Sequence, residues 1–170
     1  MEKVRWINTV LLLAALVVGA LCASFPIAQA QVFGSGHHTV TVQVSPITAV
    51  AISGGSVSLA ITGASAVAGQ DQMSVTDQST QLLWGINSSA KKITVKTSLA
   101  APLFTLNLLA LNPTQGTASA QVTLSTTAQD FLLNIGRSSG SATLRYTGIA
   151  LASKGTGSDA HVITFTVATQ

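Results

Sequence analysis

The chain has 170 residues, 47% of them apolar and only 8% charged, and eight Lys and Arg against five Asp and Glu leave a net charge of +3. So small and scattered a positive charge cannot neutralise a run of phosphates, which argues against a nucleic-acid binder. The apolar excess is patterned and rich in Val, Ile, Leu and Thr, unlike a disordered chain.

Residues 1–30, MEKVRWINTVLLLAALVVGALCASFPIAQA, read as a secretory signal peptide. Lys3 and Arg5 give a basic start, Val10 to Cys22 an apolar run, Pro26 a break, and Ala28-Gln29-Ala30 a small-x-small cleavage site. The run is too short to span a bilayer comfortably, so no membrane span is expected after cleavage. The mature chain should begin at Gln31 and work outside the cytoplasm, at the cell surface, in the medium or in the periplasm. Cys22 is the only cysteine and falls within this segment. Gly19-Ala20-Leu21 before it fits lipoprotein processing poorly. The mature chain then forms no disulfide and depends on packing and ladder hydrogen bonds.

Residues 31–37, QVFGSGH, form a short lead expected to lack fixed structure. Period-two alternation, the mark of half-buried strands, follows over 38–170. Val40, Val42 and Val44 alternate with Thr39, Thr41 and Gln43, up to Pro46. Ile47 to Ile52 is apolar and small-sided. Gly54-Gly55 turns the chain, and Val57, Leu59 and Ile61 alternate with Ser56, Ser58 and Ala60. Residues 63–78 lack clean periodicity and read as a long loop. Leu82, Trp84 and Ile86 form a strand that turns at Asn87-Ser88-Ser89 into Ile93, Val95 and Thr97, most simply as a hairpin.

Leu103 to Leu111 is the most apolar strand, expected to be buried on both faces and closed by the turn Asn112-Pro113-Thr114-Gln115-Gly116. Ala120, Val122 and Leu124 follow. Thr126 to Ile135 can carry one helical turn, with Thr126 or Thr127 as N-cap and Asp130 near the positive end of the helix dipole. Gly140-Ser141 reads as a turn. Leu144 and Tyr146 lead to Gly148, where a shift of the apolar phase to Ile149 and Leu151 suggests a bulge. Lys154 to Asp159 reads as a hairpin turn before Ile163, Phe165 and Val167. Eight or nine short strands with frequent turns predict an all-β fold, a two-layer antiparallel Ig-like sandwich, with Trp84, Leu106, Leu124, Tyr146 and Phe165 in its core.

Chemistry is sparse. After residue 30 the acids are Asp71, Asp77, Asp130 and Asp159, opposed by Lys91, Lys92, Lys96, Arg137, Arg145 and Lys154. The four carboxylates fall in expected turns, where exposed aspartates are ordinary. No nucleophile elbow, phosphate loop or dinucleotide fingerprint occurs. His37, His38 and His161 would meet only if the first and last strands paired, and Asp71 and Asp77 match no calcium loop. Asn87-Ser88-Ser89 fits an N-glycosylation sequon, a short match read as incidental. The sequence therefore assigns no catalytic residue, no metal ligand and no cofactor.

The runs AQVTLSTTAQDFLLNI, SATLRYTGIALA and HVITFTVATQ carry a resemblance. Together with the leader they resemble small secreted bacterial surface proteins with Ig-like or pilin-like β-sandwich domains. The resemblance implies a cell-surface or extracellular structural role and carries over no catalytic residue. The paired cysteines of many chaperone-assembled pilins are missing.

The expected function is a non-enzymatic structural or interaction module of the cell surface or extracellular matrix. It would act through β-strand or sheet-face contacts with other surface proteins or with itself. Val32, Phe33, Val40, Val42 and Val44 are the candidate docking strand. The alternative is a module for carbohydrate or another small ligand using the 63–78 loop.

Overall fold

The computed structural model describes residues 36–170, and the compact unit within it runs from Gln43 to Gln170. The expected signal peptide over residues 1–30, together with Val32 and Phe33, lies outside the described residues. The strands are β1 Thr48–Ser53, β2 Gln72–Ile86, β3 Lys91–Thr97, β4 Thr105–Leu111, β5 Thr117–Ala118, β6 Val122–Thr123, β7 Gln129–Ile135, β8 Ser138–Leu151 and β9 Ile163–Thr169. They form two sheets, ordered β1-β2-β8-β4-β6 and β5-β7-β3-β9. All pairings are antiparallel. The fold is thus the all-β, two-layer antiparallel sandwich that the alternation predicts.

The core lies between the sheets. Leu82, Trp84 and Ile86 of β2 and Ala142, Leu144 and Tyr146 of β8 face Ile93 and Val95 of β3 and Phe131, Leu132 and Ile135 of β7. Each fully buried side chain of this size contributes about 1.5–3 kcal/mol. Of the expected core, Trp84, Leu124 and Tyr146 are buried, whereas Leu106 and Phe165 are only half-buried at its margin. Phe131, which sequence reading left out of the core, is its largest fully buried side chain and packs 5.6 Å, ring centre to ring centre, from Phe165.

Several local expectations are corrected. From β2 onward every connection crosses to the opposite sheet. The turns at Asn87–Ser89 and Lys154–Asp159 are therefore arches between layers, not hairpins. Only β1 and β2 follow one another within a sheet, across the connection 54–71. The expected strand over 39–44 does not form, since residues 36–47 belong to no ladder. Val57, Leu59 and Ile61 keep their alternation, half-buried, but also without a ladder.

The expected loop 63–78 is partly strand, because β2 begins at Gln72 and Gln72–Asp77 pair with β8. Its aperiodic look has a local cause. A bulge lies between Asp77 and Thr80, and it switches the inward phase from Met73 and Val75 to Thr80, Leu82 and Trp84. The Asp77 carboxylate holds the bulge by accepting hydrogen bonds from the backbone N–H (2.9 Å) and hydroxyl (2.7 Å) of Ser79.

No helical turn forms over 126–135. One isolated turn is costly to nucleate. As β7 the segment instead satisfies its backbone against β3 and β5 and buries Phe131, Leu132 and Ile135. Gly140 and Ser141 lie within β8, not in a turn. Gly148 is not a bulge either. The phase Ala142, Leu144, Tyr146, Gly148, Ala150 runs inward without a break. Leu59 lies over Gly148, its Cδ1 3.3 Å from where a Cβ would sit. Gly148 is small because the connection 54–71 supplies the missing side chain.

Candidate functional site

The candidate site begins with a segment that the fold leaves unused. Val40, Val42 and Val44 are 71%, 82% and 69% exposed. Their neighbours Thr39, Thr41 and Gln43 are exposed too, and none of them belongs to a ladder. Among the described residues, the apolar alternation that predicts a strand therefore has no ladder partner for its backbone, and its valines stay exposed.

The C-terminal end of this segment is fixed. Asn87 Nδ2 donates to the Ser45 carbonyl (2.8 Å), Ile47 N–H donates to Asn87 Oδ1 (2.6 Å), and Asn87 N–H donates to the Ile47 carbonyl (3.2 Å). One asparagine in the β2–β3 arch thus clasps both sides of Pro46, immediately before β1 starts at Thr48. Sequence reading missed this role, since Asn87 stood out only as a turn former and as part of a sequon.

The second element is a pair of open edges. β1 closes one end of the five-stranded sheet and β9 one end of the four-stranded sheet, and the two approach one another. Neither strand contains Lys, Arg or Pro, the residues that commonly guard an edge. Next to them lies a groove of about 820 Å³, walled by Ile52, Leu59, Leu106, Tyr146, Ile163 and Phe165 among others. Ile52 shares the inward face of β1 with Val50 and is 44% exposed. Ile163, Phe165 and Val167, the inward residues of β9, are all half-buried. The core is thus incompletely covered along this side.

The polar candidates are occupied structurally. Asp71 accepts hydrogen bonds from the Ser153 N–H and hydroxyl, both 2.8 Å, and holds the turn after β8. Those bonds keep its carboxyl below the usual range, as the bonds from Ser79 do for Asp77. Asp159 accepts from Phe104 N–H (2.8 Å), and Asp130 pairs with Lys92 (2.8 Å) on the surface. No two of these carboxylates share a partner. His161 Nδ1 lies 3.0 Å from the Thr97 hydroxyl, while His37 and His38 are exposed. Among the described residues no group of three His, Cys, Asp or Glu is placed to hold a metal ion.

The aromatic side chains of the described residues turn inward. Trp84, Phe131 and Tyr146 are buried, and Phe104 and Phe165 are half-buried in the groove wall. Burial raises the Tyr146 hydroxyl above its ordinary value. Among the described residues there is no exposed aromatic platform of the kind that stacks on sugars. No helix among them is long and apolar enough to cross a membrane. Compared with known proteins, the chain matches no protein-family model and no curated sequence.

Proposed function

We propose that this chain is an exported, non-enzymatic structural or interaction module of the cell surface or extracellular matrix, working through β-strand contacts with other surface proteins or with copies of itself. One observation carries the reading: the exposed and unpaired alternation Val40, Val42, Val44 on a chain whose sheets end in unguarded edges. An exposed alternating segment gains ladder hydrogen bonds and buries its valines when it adds to such an edge. Docking through Val32, Phe33, Val40, Val42 and Val44 belongs to this reading. The structural engagement of Asp71, Asp77, Asp130 and Asp159 supports a non-enzymatic role, and the leader supports export.

The test compares the mature chain from Gln31 with a form that begins at Ser45. Circular dichroism should give the same β spectrum for both. Light scattering should give association for the longer form only. Equal association of both forms would remove the segment from the mechanism.

The groove favours a second reading, a module for carbohydrate or another small ligand, because Tyr146, Phe104 and Phe165 contribute to its wall. On that reading the shorter form would keep full ligand binding, and association would not depend on residues 31–44.

A further inference from the structure

We infer that the groove beside β9 receives residues 39–45 from a second copy of this chain, which add as a strand to the outer edge of β9. The inference rests on the strand-contact reading above and names the receiving edge and the donor.

Length fits first. Thr39 to Ser45 at about 3.3 Å per residue would reach roughly 23 Å. β9 also has seven residues, Ile163–Thr169. Phase fits next. Neighbouring strands place facing residues on one side of the sheet. Val40, Val42 and Val44 would continue the inward row of Ile163, Phe165 and Val167. Thr39, Thr41 and Gln43 would continue the exposed row of Thr164 and Thr166. Charge fits as well: neither Thr39–Ser45 nor β9 carries any, so desolvating them strands no ion.

The choice of β9 over β1 follows from the groove. A strand on the outer edge of β9 makes the smaller sheet five-stranded, equal to its partner, and brings valines over the open side where Ile52 and Phe165 are exposed to the groove. A strand on β1 would widen the larger sheet and leave that side open. A second copy is the donor because the same chain bears both complementary parts, the unpaired valines and the unfilled edge.

Cysteine pairing tests this directly, since a mature chain from Gln31 has no native thiol. A Thr41→Cys chain carrying a size tag is mixed with untagged Thr164→Cys or Thr166→Cys chains under mild oxidation. The expected result is a mixed disulfide dimer, in yield well above that with Ala51→Cys on the exposed face of β1. A dimer that forms mainly with Ala51→Cys would overturn β9 as the receiving edge and keep the strand-contact function. A Thr41→Cys/Thr166→Cys double variant that closes within one chain, without dimers, would assign the segment to its own β9 and overturn the second copy. Absence of both disulfides, with monomers by light scattering, would overturn this inference and leave strand contacts only with other surface proteins.

Discussion

The indole of Trp84 fills the space that a side chain on Gly140 would need. The two residues are partners across the β2–β8 ladder, and a Cβ on Gly140 would collide with Cζ2, Cε2 and Nε1 of the ring. Trp84 thereby reaches the core from the end of a long strand, and the glycine makes the room.

The pair predicts a coupled response in urea unfolding. Trp84→Ala should cost about 3–5 kcal/mol, as for other buried aromatics. Gly140→Ala should cost about 1–3 kcal/mol by overpacking. The double variant should cost less than the sum, because the new methyl enters space that the ring has vacated. Strict additivity would show that the contact does not set the size of residue 140.

Asn87 predicts a local effect. Asn87→Ala removes two hydrogen bonds to the backbone of Ser45 and Ile47, each with a net contribution of about 0.5–1.5 kcal/mol. Amide exchange at Ile47 should accelerate, while exchange at Leu82 and Leu144 should follow only the global change in stability. Unaltered exchange at Ile47 would mean that Pro46 and β1 hold the segment without the clasp.

Ala90 predicts a stabilising substitution. It ends the β2–β3 arch with φ 55°, in the left-handed region. That conformation costs an L-residue about 1–2 kcal/mol. Glycine adopts it freely but loses about 0.5–1 kcal/mol in chain entropy. Ala90→Gly should therefore stabilise the fold by up to about 1.5 kcal/mol, the difference of these two effects. A lower melting temperature would contradict the left-handed assignment.

Asp71 and Asp77 predict acid sensitivity. Hydrogen bonds from Ser153 and Ser79 hold both carboxyls below the ordinary value of 3.8. A group with a lowered folded value binds fewer protons folded than unfolded. Its contribution is complete above the ordinary value and fades as the pH falls through the folded one. The melting temperature should decline from about pH 4 downward, and an Asp71→Asn/Asp77→Asn variant should decline less steeply. Parallel curves would show that these bonds do not favour the charged form.

The sequence by itself determined strand character and much of the inward face. Leu82, Trp84 and Ile86, or Leu144 and Tyr146, announce their side of the sheet because a strand repeats every two residues and one face must leave water. It determined equally the absence of a recognisable catalytic motif, since ionisable groups are counted directly from residues.

Tertiary structure alone decided which strand meets which. Ladder bonds join backbone groups that are alike in every residue, so an arch from β2 to β3 and a hairpin have the same local look. It decided too that Thr126–Ile135 is strand, because β3 and β5 offer partners that an isolated helical turn lacks. Gly148 looked like a break because Leu59, far away in the chain, supplies its side chain. The candidate site divided in the same way. The alternation of Val40, Val42 and Val44 predicted a strand that does not form, and the clasp of Asn87 on Ser45 and Ile47 depends on where the rest of the chain finds its hydrogen bonds.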